Sequence, residues 1–450
     1  MKKMISYLAA LALVFGTAAA LPQGAARLDG AITASAETSG DYDYTILDDG
    51  TVKIQFYNGS GSAVSIPATL GGRKVTMIDS YAFFYHEEIT SVTIPEGVTE
   101  IGESAFQACT ALKSVKLPST LKVIGAYAFQ NCKELSSVTL PAGLESIGMD
   151  AFEFCSALPA DLSIPAGVSE IGSYAFNETP WLAAQQAKSP LVIVNGILLD
   201  ASTCKGDVVI PGTVKRIGAY AFFNCDQMTS VTIPKSVKSI GSYAFYGCSG
   251  LKEIKIPDSV TEIGDGAFEL CTGLTSVDIP VSVGVISFGA FRDCSALSSA
   301  TVGYGTTEIA DWAFYDCTAL KEITVFSSVK VLGPESIGYY FDDTTVSSVT
   351  ISGLTVYCET GSAAESYAKS AGFKTDDIPA QQPEDGVTLL GDADGDGKVS
   401  VDDVLLIQQK IAGWDVKVNF KNADIDGDND LSVSDALAVQ QIIAGWKIAL

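Results

Sequence analysis

The sequence predicts a solenoid of short strands and turns followed by a small all-α module. Three observations carry that reading. An Ala-Phe pair recurs every 23 residues through most of the chain, an acidic loop-and-helix unit occurs twice near the C-terminus, and a charge-free run follows two lysines at the N-terminus. The 450 residues suffice for two or three domains. A hydrophobic content of 47 % against 18 % charged residues excludes a disordered chain. Acidic residues outnumber basic ones 53 to 28, a formal net charge of −25. Phosphate-binding surfaces need the opposite sign, so no nucleic-acid partner is expected. His86 is the one histidine. A histidine pair, a His-rich zinc site or a Ser-His-Asp triad would all have to run through it.

The first element is a leader. Lys2 and Lys3 precede an Ala- and Leu-rich run from Met4 to Ala20, and small residues follow at Ala18-Ala19-Ala20 and Ala34-Ser35-Ala36. Residues 1–36 therefore read as a signal peptide region, cleaved after 20 or after 36, and export is expected. The run is short and rich in weakly hydrophobic alanine, which argues against an anchor, so no membrane insertion is expected after its removal. The first cysteine is Cys109, too distant to carry a lipid at either cleavage site.

The repeat follows. Ala-Phe pairs begin at Ala82-Phe83 and reach Ala313-Phe314 in steps of 23, with one step of 24 and one of 46. The long step is two periods, so residues 177–220 should hold a degenerate coil whose Asp207-Val208-Val209-Ile210-Pro211 fits the strand segment. A full copy reads Ser91-Val92-Thr93-Ile94-Pro95, Val98, Ile101-Gly102, Ala105-Phe106, Cys109, Leu112. Alternation in Ser-Val-Thr-Ile predicts a half-buried strand, and the proline ends it at a corner. Gly after Ile is expected to permit a tight bend. One unit cannot bury its own apolar stripe, whereas stacked coils bury Ile on Ile and Phe on Phe. At about 4.8 Å per coil, ten or so coils would make a body roughly 50 Å long.

Ten cysteines in an exported chain would ordinarily suggest disulfides. Cys109, Cys132 and Cys155, and Cys225 through Cys317, keep the 23-residue step and stand three residues after the Phe. A residue repeating with the fold's period fills one interior slot, so these are expected as buried free thiols. Cys204 and Cys358 lie outside the column.

These residues resemble the BspA-like leucine-rich repeats, a bacterial surface and secreted class, over roughly Asp41 to Lys374. The resemblance implies a leucine-rich-repeat solenoid with caps over 37–375. The segment from Asp43 to Thr51 looks like its leading hairpin, and Gly361 through Phe373 like its closing helical cap. Positions flanking the Ala-Phe pair are three apart and would share a face in a helical turn. Several are aromatic: Tyr81 with Phe84, Tyr220 with Phe223, Tyr243 with Tyr246, Trp312 with Tyr315, and Tyr127 and Tyr174 singly. They form a possible ligand strip for a protein or a glycan, or a shield for the solenoid edge. Asp150, Gly266 and Gly289 interrupt it.

A Pro/Gln/acid stretch over 376–388 reads as a linker, and 389–450 as a separate module. Asp392, Asp394, Asp396 and Asp403 stand at positions 1, 3, 5 and 12 of one loop, with Lys398 offering its carbonyl from position 7. Asp424, Asp426, Asp428, Asp430 and Asp435 repeat the pattern 32 residues on. Calcium takes six to eight hard oxygens, so each loop is a calcium site and two ions are expected. Eleven Asp face five Lys between Leu389 and Leu450, and without metal their repulsion should leave the module largely unfolded. Each loop runs into a near-identical helix, ending Ile411-Ala412-Gly413-Trp414 and Ile443-Ala444-Gly445-Trp446. The pattern resembles a type I dockerin, in which position 12 is Asp and no helix enters the loop. That resemblance implies docking to the cohesin module of a scaffoldin in a cellulosome. By position in the dockerin pattern, Val401, Asp402, Gln408 and Gln409, with Val433, Ser434, Gln440 and Gln441, would contact the cohesin. Some dockerins carry Ser-Thr at loop positions 10 and 11, where this chain has Val-Asp and Val-Ser.

The expected function is that of a secreted, extracellular, non-catalytic cellulosome component, held near the cell surface, whose solenoid presents a binding face. An unrecognised carbohydrate-active enzyme is the alternative. Against it stand the lone His86 and the absence of a repeating carboxylate pair, Glu178 and Asp200 being isolated acids in the degenerate coil. A passive spacer is the third reading.

Overall fold

The computed structural model describes residues 37–378, 391–393, 399–414, 416, 418, 423, 425 and 431–443. The expected signal peptide region and most of the expected linker lie outside them. The middle of the chain is a leucine-rich-repeat solenoid. Most coils contribute one or two short strands, commonly of two or three residues, to parallel sheets that run along the stack, and successive coils pair with Ser on Ser or Ile on Ile 23 residues apart. At the N-terminal end, Glu37–Ser39, Tyr42–Ile46 and Val52–Tyr57 form an antiparallel meander whose last strand pairs in parallel with Arg73–Ile78. At the other end helix α2 (Ala363–Ala371) starts on an N-cap Ser362, buries Ala364 and Ala368, and stops at Gly372 with φ 78°. The strand Lys374–Asp376 then closes one sheet.

The interior is a set of single-residue columns. Phe106, Phe129 and Phe152 stack with centroids 5.3 Å apart and planes within 10°, and Phe222 through Phe314 do the same at 4.7–5.3 Å. Burying each ring stabilises the stack by about 1.5–3 kcal/mol. All ten cysteines are buried and unpaired. Each thiol of the column donates to a backbone carbonyl one coil back, as Cys132 Sγ does to Phe106 O at 3.1 Å. Burial pushes the Cys109 and Cys155 thiols up to about 12, so neither ionises at neutral pH. His86 occupies the first slot of this column, with Nε2 2.9 Å from Tyr57 O. The lone histidine is thus a structural member of the stack.

Two expectations need correction. The segment around Ala-Phe is not a helical turn. The residue before the pair takes a left-handed backbone, with φ 54–62° at Tyr81, Ser104, Tyr127, Asp150, Tyr174, Tyr220, Tyr243 and Trp312. A second left-handed residue follows two places after the Phe, at Ala108, Asn131 and Phe154 among others. Two such kinks reverse the chain within one coil. The glycine after Ile is also not there for its backbone freedom, because none of these has a positive φ. A Cβ on Gly125 would stand 2.7 Å from Gly102 C and 2.8 Å from Glu103 N, so the slot is set by contact with the neighbouring coil. Where Ser287 takes it, one sheet ends at Glu262–Ile263 and another starts at Val285–Ile286. There the Ser287 hydroxyl, 2.6 Å from Ile263 O, donates in place of the backbone N–H.

The degenerate coil does carry its strand, Gly206–Val209, parallel to Met228–Thr232. It also holds helix α1 (Pro180–Gln186), capped by Thr179, and an antiparallel hairpin of Val192–Val194 with Ile197–Asp200. Trp181 plugs the core there and donates from Nε1 to Leu162 O at 2.9 Å.

Candidate functional site

Two regions outside the columns hold chemistry. The first is the C-terminal helix pair, α3 (Val401–Ile411) and α4 (Val433–Ile443). Apolar residues three apart, Val404 with Ile407 and Ala436 with Val439, bury one stripe of each helix around Ala393, Ala423 and Ile425. Asp392, Asp403 and Asp435 lie in this interior, the last two with no exposed surface. One oxygen of each position-12 carboxylate serves its own helix cap: Ser400 N donates to Asp403 Oδ2 at 2.6 Å and Ser432 N to Asp435 Oδ2 at 2.8 Å. Ile425 N donates to Asp435 Oδ1 at 2.8 Å, which draws the start of the second loop back onto its end. A buried carboxylate is tolerated only where it is hydrogen-bonded, paired or metal-ligating, and among the described residues no cluster of three or more Asp, Glu, His or Cys is close enough to hold a metal ion. Asp394, Asp396, Lys398, Asp424, Asp426, Asp428 and Asp430 lie outside the described residues.

Of the expected contact residues, Val401, Asp402, Gln408, Val433, Ser434 and Gln440 are exposed and Gln409 is half-buried, while the side chain of Gln441 is outside the description. Sequence reasoning missed Leu405 and Leu437, each about half exposed and one turn beyond Val401 and Val433. Their signal is a leucine outside the buried stripe, present in both copies. Ile411, Trp414 and Ile443 are exposed as well.

The second region is the ridge of left-handed residues. Its expected pairs do meet: Tyr220 with Phe223 at 5.6 Å, Tyr243 with Tyr246 at 6.0 Å, Trp312 with Tyr315 at 5.8 Å, and Tyr81 with Phe84 at 5.6 Å. Tyr174, Tyr220 and Tyr243 run ring to ring at 4.9 and 5.0 Å, and Phe223 lies parallel to Tyr246 at 5.1 Å. The ridge thus bridges the degenerate coil, and an Arg216–Glu170 ion pair spans the same gap. Two of these pairs, Tyr220 with Tyr243 and Phe223 with Tyr246, are stacked face to face. Arg292 lies 5.4 Å over Trp312. Around the Asp150 break, Glu153 accepts from Gln130 Nε2 at 2.7 Å and from Asn177 Nδ2 at 3.0 Å. Asp200 accepts from Gln186 and Ser202, and no carboxylate pairs with it or with Glu178.

The BspA type Leucine rich repeat region model matches residues 75–194 and 208–352, in six copies. The Dockerin type I domain model matches residues 390–444. Both are non-catalytic modules. No curated protein matches the chain. Similar solved structures include a leucine-rich repeat protein from Bacteroides ovatus ATCC 8483, 29 % identical over 69 % of this chain and 80 % of that one, with a TM-score of 0.38. Another is a leucine rich cell surface protein from Faecalibacterium prausnitzii A2-165, 28 % identical over 76 % and 99 % of the two chains, TM-score 0.37. No helix among the described residues is long and apolar enough to cross a membrane.

Proposed function

The chain belongs to the BspA-type leucine rich repeat family and carries a type I dockerin domain, and from that premise we propose that it is a secreted, non-catalytic cellulosome component. In this reading residues 1–36 hold the signal peptide, cleaved on export after 20 or after 36, 37–375 form the capped recognition solenoid, 376–388 link, and 389–450 dock calcium-dependently to a scaffoldin cohesin. The observation that carries it is the pair of buried position-12 carboxylates, Asp403 and Asp435, each tied to the start of its own helix. Asp392, Asp394, Asp396, Asp403 and the Lys398 carbonyl would hold one calcium ion. Asp424, Asp426, Asp428, Asp435 and the Asp430 carbonyl would hold a second. Calcium supplies there the positive charge that lets carboxylates converge. The residues themselves close each loop, start each helix and set the exposed Val401–Leu405 and Val433–Leu437 surfaces beside the expected polar contacts. Those apolar pairs are the anchors a cohesin would bury.

For the solenoid we infer a protein ligand rather than a glycan. Sugar stacking uses open ring faces, and each of Tyr220, Tyr243, Phe223 and Tyr246 has at least one face taken by a neighbouring ring. Capture of the full chain by a cohesin panel, with and without chelator, tests the attachment. Capture only with calcium supports it, and calcium-independent capture contradicts it. An array of surface proteins and glycans, probed with the full chain and with its Tyr220→Ala/Tyr243→Ala variant, tests the ridge.

A further inference from the structure

The ridge contains one group that its packing leaves without a partner. Asp150 takes the ring position in its coil, between Tyr127 one coil before and Tyr174 one coil after, and its φ of 54° is that of the rings. It is 9 % exposed. Among the described residues every other buried acid stands in the C-terminal module. Among the described residues nothing donates a hydrogen bond to its carboxylate and no cation pairs with it, whereas neighbouring Glu153 is saturated by Gln130 and Asn177. Burial and then the Glu153 charge push Asp150 up to about 6; Tyr127, Tyr174 and Tyr220 are the other titrating groups near it. Its oxygens are not among the sealed, unpartnered polar atoms of the fold, so solvent reaches them.

The walls of this slot are aromatic. Tyr127 leans toward the Asp150 coil, with its hydroxyl 3.9 Å from Met149 Sδ. Tyr174 turns one face to Tyr220 and has no ring on its other side. Tyr127 and Tyr174 stand two coils apart, about 9.6 Å at one strand spacing per coil. A planar cation between two rings needs about 7 Å at van der Waals contact. Met149, the residue before Asp150, is exposed.

We propose that this slot receives an arginine side chain of a partner protein, its guanidinium on the Asp150 carboxylate and between the Tyr127 and Tyr174 rings. Two features favour arginine over lysine. The floor is a carboxylate that a guanidinium fork matches with two N–H groups, and ring faces stack with that planar cation. A chain of net charge −25 also draws basic partners. The inference rests on the ridge being a recognition face and names what one part of it recognises.

The test titrates the full chain with N-acetyl-arginine amide and follows the Met149 methyl NMR signal, assigned with Met149→Leu. A saturable shift is expected, weakened about tenfold in Asp150→Asn. The lysine amide should bind more weakly and the citrulline amide, equal in shape but uncharged, not measurably. Glu253→Gln removes an exposed charge elsewhere and should leave the titration unchanged. No saturable shift, or equal shifts from wild type, Asp150→Asn and the citrulline amide, would overturn the proposal. The array experiment judges the ridge separately, so failure of the slot leaves that reading standing.

Discussion

Gly125→Ala isolates the contact that sets the coil spacing. The new Cβ would meet Gly102 C at 2.7 Å, Glu103 N at 2.8 Å and Ile101 O at 2.9 Å, all backbone atoms that no rotamer change can move. Ile101 O is also the acceptor of Gly125 N–H at 2.7 Å, so opening the coils to admit the methyl weakens that bond too. Overpacking costs about 1–3 kcal/mol and a lost backbone bond about 0.5–1.5 kcal/mol. The stiffer unfolded chain returns about 0.4–1 kcal/mol. Steric cost wins, and the net loss is about 2–3 kcal/mol. Because a solenoid opens locally, the assay is amide hydrogen exchange of the full chain, read on peptides covering 99–125. Exchange there should quicken by roughly 30- to 150-fold, with coils beyond Cys225 unchanged. A change below threefold would refute the claim that backbone contact, rather than turn geometry, demands this glycine.

Phe129→Ala, in the middle of a stack, should cost about 3–5 kcal/mol and expose the same coils to exchange; a loss under 1 kcal/mol would contradict the column picture. With all ten thiols buried, and those of Cys109 and Cys155 pushed up to about 12, a thiol reagent at pH 8 should label none of the ten cysteines in native protein and all of them in denaturant. Asp150 is raised from 3.8 to about 6 in the fold, so its ionised form destabilises the fold only as pH rises from near 4 through 6. Asp150→Asn should therefore stabilise the solenoid above pH 6, by about 1–2 kcal/mol after discounting for solvent at the slot, and not near pH 4. Denaturation curves at the two pH values decide it. Leu405→Ala with Leu437→Ala should weaken cohesin capture at least about tenfold while leaving the helices intact by circular dichroism.

How much of this was legible follows from what repeats. Phe, Cys and Ile columns print their spacing into the sequence because each coil presents the same slot to the next. The left-handed corners were not legible, since Tyr127, Asp150 and Asn131 share a backbone conformation but no side-chain type. Glycine after Ile was read with the wrong cause, because one residue type answers both a positive φ and a close approach. Helix α1 and its hairpin occur once, so no period announced them. In the tail, loop spacing marks the position-12 aspartates as candidate ligands, and their role as helix caps was not legible. Leu405 and Leu437 became visible only once the buried stripe of each helix was known.

The central claim is that the acidic loops are metal sites on which the docking surface depends. Calcium titration calorimetry of the full chain, first freed of metal, tests it most directly. Uptake of two ions with a gain of helical signal is the predicted result; no uptake would contradict it.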